Sequence, residues 1–168
     1  MSASSSRPDA PPRSSCPACL AVFRGDFRRC PNDGALLVAG DDDPLVGTVL
    51  AERYQIEAVI GDGGLGRVYR ARHVRMSRRF AIKVPFGEVG YDRKARARLA
   101  NEAEAASRLD HPNVIGVVDV GETAAGLFYL AMDLADGPSL AELIDGARIA
   151  PGDVLTILAQ LADGLTHA

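Results

Sequence analysis

No run of about 18 uninterrupted apolar residues occurs in the 168-residue sequence, so a membrane span within it is not expected. The amino terminus also lacks the apolar segment of a signal peptide. Met1 to Ser15 is rich in Ser and Pro instead, and reads as a disordered tail. Cysteine is scarce, at 3 residues. An odd count argues against a disulfide framework and for reduced thiols in a cytoplasmic setting. A strong excess of charge is missing too, since the net charge of -3 points to no class of partner. Lys and Arg crowd between Arg67 and Arg98, but that stretch reads as strands and a helix with solvated faces, and nucleic acid is not an expected partner. No fixed-period repeat is visible beyond two Cys-Pro turns.

What is present divides into segments. Residues 1–15 form the tail, 16–37 a small cysteine-containing unit, and 38–49 a linker with an acidic Gly/Pro stretch at Gly40 to Pro44. Residues 50–137 carry strand-like segments and one helix, and 138–168 are helical. Tyr54, Ile56, Ala58 and Ile60 alternate with Gln55, Glu57 and Val59, as in a half-buried strand. The run Gly61-Asp62-Gly63-Gly64-Leu65-Gly66 follows, and Val68-Tyr69-Arg70 resumes extended structure, which places the glycines in a turn between antiparallel strands. Phe80-Ala81-Ile82-Lys83-Val84 is a third strand, ended by Pro85. Val114 to Val120 and Leu127 to Met132 complete a five-stranded antiparallel sheet, so the expected class is α+β.

The period changes to that of a helix over Arg93 to Leu109, where Leu99, Glu102, Ala106 and Leu109 share a face. Glu102 thus sets a carboxylate where apolar packing is expected. Lys83 stands on the strand face opposite Phe80 and Ile82, and a Lys–Glu pair would make an inward lysine tolerable. Ser139-Leu140-Ala141-Glu142 has the spacing of a capping box. The last helix, from Asp153, carries an apolar stripe of Val154, Ile157, Leu158, Leu161 and Leu165 with no evident surface to pack on.

Glycines spaced as Gly61-x-Gly63-x-x-Gly66 also mark dinucleotide-binding folds, but those open a helix after the glycines, which disfavours a nicotinamide-dependent oxidoreductase. Gly61 to Tyr69, Phe80 to Lys83, Asn101 to Glu104 and Leu109-Asp110-His111-Pro112-Asn113, in that order, resemble protein kinases of the bacterial serine/threonine type. The resemblance runs from about Leu50 to the end. It implies a kinase small lobe and hinge followed by the start of a large lobe, with ATP and Mg²⁺ as ligands. It also implies that Gly61, Gly63 and Gly66 cover the phosphates, that Lys83 contacts the α and β phosphates, and that Glu102 orients Lys83. Ile60, Val68 and Ala81 then enclose adenine, Met132 stands at the gatekeeper position, and Asp133 to Ala135 form the hinge. The family's His-Arg-Asp loop and Asp-Phe-Gly triplet have no match in these residues. The expectation is an ATP-binding portion that does not itself transfer phosphate, from a parent acting on protein Ser or Thr. A non-catalytic module binding nucleotide or a partner is the alternative.

Cys16-Pro17-Ala18-Cys19 and Cys30-Pro31-Asn32-Asp33-Gly34 resemble the two knuckles of a zinc ribbon, with Asp33 in place of a fourth Cys. Such a site implies one structural zinc on Cys16, Cys19, Cys30 and Asp33, in a unit that makes contacts with partners or regulates rather than doing chemistry.

Overall fold

In a computed structural model, residues 13–39, 43–63, 66–87, 93–146 and 149–167 are described. The chain order is β1 (Arg13–Ser15), β2 (Val22–Arg24), β3 (Val38–Ala39), β4 (Val49–Leu50), β5 (Tyr54–Asp62), β6 (Gly66–His73), β7 (Arg79–Pro85), α1 (Arg93–Ser107), β8 (Val117–Glu122), β9 (Phe128–Asp133), α2 (Leu140–Gly146) and α3 (Pro151–His167). None of the described helices is long and apolar enough to cross a membrane.

Alternation dictates the larger sheet, which is antiparallel throughout in the order β4-β5-β6-β7-β9-β8. The five expected strands are all present, and the two-residue β4 adds a short edge beside Tyr54 and Gln55. One face buries Tyr54, Ile56, Tyr69, Ala71, Phe80, Ile82 and Ala131. Tyr54 packs edge-on against Phe80 and Tyr129, each with ring centroids 5.8 Å apart, a geometry the ring quadrupole favours. Helix α1 lies along β8, joined to it by the Arg96–Glu122 ion pair.

The smaller sheet, in the order β2-β1-β3, belongs to the cysteine unit. Arg13–Ser15, placed in the tail by composition, form its central strand by pairing with both Val22–Arg24 and Val38–Ala39. The rest of the expected tail, residues 1–12, lies outside the described residues. Cys16, Cys19, Ala21, Phe23 and Cys30 share one continuous core with Leu45, Leu50 and the aromatic side chains of the larger sheet. The unit's order therefore does not rest on its own few apolar residues. The segment read as a linker takes part, since Leu45 is 1% exposed and Asp43 is ion-paired to Arg67.

Both expected carboxy-terminal helices form. At α2 the Ser139 N–H and hydroxyl donate to Glu142 Oε2 at 2.6 and 2.8 Å, and the Glu142 N–H donates back to Ser139 Oγ at 3.2 Å. This is the reciprocal capping box that the spacing predicts. Helix α3 touches the lobe through the turn at His111 to Val114. Asp163 accepts from Asn113 at 3.1 Å and lies 3.1 Å from His111 Nε2. A Cβ at Gly164 would stand 3.2 Å from the Asn113 carbonyl oxygen, so close approach accounts for a glycine inside this helix. Val154, Leu158, Leu161 and Leu165 of the expected stripe remain exposed, in keeping with a stripe that lacks a packing surface.

Candidate functional site

Strands β5 and β6 meet at the glycine-rich turn, where the Gly63 N–H donates to the Gly66 carbonyl at 2.9 Å. The ladder continues through Gly61 opposite Val68 and Asp62 opposite Arg67, with a register shift that leaves Ile60 unpaired between Val59 and Gly61. The glycines do different work. A Cβ at Gly66 would lie 2.5 Å from the Val84 carbonyl oxygen and 2.8 Å from Pro85 Cα, whereas at Gly63 the nearest atom would be 3.5 Å away. Gly66 thus permits β6 to close on β7, whereas among the described residues a side chain at Gly63 would meet only ordinary contact. Gly64 and Leu65 lie outside the described residues.

Register brings the other expected residues together. Val68, Lys83 and Leu130 stand opposite one another across β6, β7 and β9. Ala81 faces Met132 on the neighbouring rung. Directly paired residues project to the same side of a sheet. Val68, Ala81, Lys83 and Met132 therefore form one patch on the face opposite the aromatic core, next to the glycine turn. Ile60 is exposed, and Asp133 and Ala135 follow at the end of β9. The Asp133 N–H donates to the Gly116 carbonyl at 2.9 Å, and its carboxylate accepts from Arg78 at 2.5 Å. The Glu102 backbone belongs to α1, but the side chains of Glu102 and Leu99 lie outside the described residues.

Sequence reasoning missed a charged network behind the turn. Arg67, 4% exposed, pairs with Asp43 and stands 3.4 Å from Asp62. Burial opposes the charge on Arg67, but the hydrogen bond and attraction to Asp43, together with Asp62, hold the guanidinium pKa above its ordinary value. The Tyr69 hydroxyl donates to Asp43 at 2.9 Å; burial and that carboxylate push the phenol pKa up. Asp62 also accepts from Arg13 and, at 3.0 Å, from Arg24. A cleft of about 670 Å³ lies away from this patch, bounded by Leu20, Leu45, Leu50, Leu127 and Tyr129, with Asp119 at its wall.

The cysteine unit gathers all four expected ligands. One donor atom from each of Cys16, Cys19, Cys30 and Asp33 lies within 4.8 Å of every other. The Cys19 and Cys30 sulfurs are 3.6 Å apart and Cys16 Sγ is 3.2 Å from Asp33 Oδ2. No disulfide links these thiols, and 3.6 Å is near the separation of about 3.8 Å that two thiolates take at tetrahedral zinc with Zn–S of about 2.3 Å. Burial pushes the Cys30 thiol up to about 12 and raises Cys16 as well. Asp33 is held below the ordinary carboxylate range by the Ala35 N–H, then by the Cys16 thiol. The donor set, three sulfurs and a carboxylate oxygen, fits a structural zinc.

Comparison with known proteins follows these features. The family model described as Protein kinase domain matches residues 54–168. Serine/threonine-protein kinase pkn3 of Myxococcus xanthus is 36% identical over 129 residues, covering 76% of this chain and 24% of that protein. Serine/threonine-protein kinase PrkC of Bacillus subtilis is 35% identical over 125 residues, covering 74% and 19%. The crystal structure of the Mycobacterium tuberculosis PknI kinase domain aligns with a TM-score of 0.60 at 30% identity, over 73% of this chain and 50% of that chain. The chain thus spans a quarter or less of the length of these two curated relatives.

Proposed function

Because the chain belongs to the protein kinase domain family through residues 54–168, we propose that the patch beside the glycine turn binds ATP with Mg²⁺, as the nucleotide-binding part of a bacterial-type serine/threonine protein kinase. The observation that carries this reading is the pair of rungs Val68–Lys83–Leu130 and Ala81–Met132 next to the turn. They set an ammonium group and a small apolar surface on one face of the sheet beside the glycine turn. A polyphosphate needs the first, and a flat purine needs the second.

In this reading the backbone at Gly61, Gly63 and Gly66 approaches the phosphates, and Lys83 meets the α and β phosphates. Glu102, whose backbone belongs to α1, orients Lys83 in the same proposal. Ile60, Val68 and Ala81 line the adenine space, Met132 bounds its depth, and Asp133 and Ala135 offer backbone groups to the adenine edge. Mg²⁺, bound with the nucleotide, supplies charge neutralisation along the phosphates. The 168 residues contain no His-Arg-Asp or Asp-Phe-Gly triplet. We therefore assign this chain nucleotide binding, and the transfer of phosphate to protein hydroxyls to a longer parent. Cys16, Cys19, Cys30 and Asp33 hold one structural zinc in the same proposal.

Titrating MgATP into the chain and into Lys83→Met by calorimetry tests the nucleotide site. Weak binding that falls several-fold in the variant is the expected result. Equal affinity in both, with both folded, would remove Lys83 from the site.

A further inference from the structure

Arg13 and Arg24 are cross-strand partners in β1 and β2, and like charges placed directly opposite repel one another. Their guanidinium groups converge on one carboxylate, that of Asp62, with Arg24 Nη2 at 3.0 Å from Oδ1 and Arg13 on Oδ2. Asp62 is the residue between Gly61 and Gly63, at the point where β5 enters the turn. The cysteine unit also grips the end of the lysine strand. Phe23, fully buried, fills the space a side chain at Gly87 would need, since a Cβ there would lie 2.2 Å from the ring. The Arg24 guanidinium stands 4.1 Å over the Phe86 ring. The unit therefore touches both the turn and the residues that directly follow the strand bearing Lys83.

The cysteine cluster fixes the hairpin that carries these arginines. Cys16 follows β1 directly and Cys19 precedes β2. The knuckle between them is closed by the Cys16 N–H donating to Ala21 at 2.9 Å and the Leu20 N–H donating to Cys16 at 3.0 Å. A metal on Cys16, Cys19, Cys30 and Asp33 would lock that connection from inside. We infer that the cysteine unit is a clamp on the glycine-rich turn, in which Arg13 and Arg24 tether Asp62, so that metal occupancy of the cluster sets the order of the turn and the affinity for nucleotide. Two physical effects favour binding when the clamp is closed. A tethered turn loses less conformational freedom when it meets phosphates. An Asp62 carboxylate neutralised by Arg13, Arg24 and Arg67 repels a polyanion less than a free one. Arg13 and Arg24 are positioning residues, acting through Asp62. The affinity part rests on the nucleotide reading of the turn given above; the ordering part does not.

The test uses the full chain and reads amide hydrogen exchange at Gly61, Asp62, Gly63, Gly66 and Arg67 without nucleotide. Its arms are zinc-loaded wild type, zinc-stripped wild type, an Arg13→Ala/Arg24→Ala double variant, and Asp62→Asn. The last replaces the carboxylate with a group of the same size and keeps the test open should the double variant fold poorly. Several-fold faster exchange at these amides is expected in the stripped protein and both variants, over and above any uniform change in β8 and β9 from altered global stability, with the variants still binding zinc. MgATP affinity, read only in the stripped protein and the double variant because Asp62→Asn also removes a carboxylate that repels phosphate, should fall several-fold in both. Unchanged exchange at the turn in Asp62→Asn or the double variant would overturn the clamp. Faster exchange with undiminished affinity would overturn its coupling to nucleotide. Faster exchange in a chain whose zinc-loaded wild type binds no MgATP would uphold the tether and defeat the nucleotide reading alone.

Discussion

Gly63 and Gly66 look interchangeable as letters of one motif, yet their surroundings assign them separate duties. At Gly66 the obstacle to a side chain is backbone on β7, the Val84 carbonyl oxygen at 2.5 Å and Pro85 Cα at 2.8 Å. Neither can rotate away, so Gly66→Ala must part β6 from β7. A cost of about 1–3 kcal/mol is expected from the forced shift, measured as a lower midpoint in denaturant. At Gly63 the nearest contact, 3.5 Å to the Gly66 carbonyl oxygen, is ordinary. Gly63→Ala should therefore keep stability within about 0.5 kcal/mol of wild type while weakening MgATP binding, because in the proposed site the added methyl stands where backbone meets phosphate. Equal destabilisation by the two substitutions would refute this division. Lost nucleotide binding in Gly66→Ala alone would say little about phosphate contact.

Edge strand β8 is held by a carboxylate shared among three elements. Asp119 Oδ2 accepts from Arg53 at 3.0 Å, from the Tyr54 hydroxyl on β5 at 3.2 Å and from the Tyr129 hydroxyl on β9 at 3.4 Å. Burial, reinforced by Asp119, pushes the Tyr54 phenol up to about 12 and raises Tyr129. A phenol with a raised pKa retains its proton in the folded protein at a pH where the unfolded chain has released it. Its contribution is therefore full below about pH 10 and is lost as pH rises from there towards about 12. Alkaline unfolding, followed by circular dichroism with phenolate absorbance, should begin in that window. Tyr54→Phe should flatten the pH dependence of stability there. A slope as steep as that of wild type would show that Tyr54 does not contribute.

The same elements show what periodicity can reveal. Alternation exposed β5 and β7 because one face of each is buried in an aromatic core. The capping box at Ser139 was legible because all its partners lie within four consecutive residues. The patch of Val68, Ala81, Lys83 and Met132 was legible only as family resemblance, since no local pattern specifies which strands lie side by side. The clamp was not legible at all. Arg13 and Asp62 are 49 residues apart, and a Ser/Pro-rich tail and an acidic linker are the compositions of solvated chain. Asp43 and Leu45 escape that expectation because Arg67 and the shared core receive them.

At the scale of the whole molecule, the joint between its two sheets decides how it unfolds. Cys16, Cys19 and Cys30 belong to the same cluster of buried side chains as Tyr54, Phe80 and Tyr129. Two bodies that share a core cannot unfold separately without exposing it, so a single cooperative transition is expected. Any ligand that binds only the folded cysteine unit must then stabilise the kinase-like lobe as well. With free zinc at about 100 times its dissociation constant, linkage supplies about 2.7 kcal/mol. For a domain of this size that is a rise in Tm of about 5–11 °C. Chain purified without chelator should carry about one zinc equivalent by elemental analysis. Calorimetry should then show one transition that moves down as a whole on removal of the metal. Tryptic peptides from β5–β7 and from the cysteine unit should become accessible together. Two resolved transitions, with only the smaller one sensitive to chelator, would show that the shared core does not couple the units. Absence of bound zinc, together with a midpoint that added zinc does not raise, would remove the metal from Cys16, Cys19, Cys30 and Asp33 while leaving the shared core as the unit's source of order.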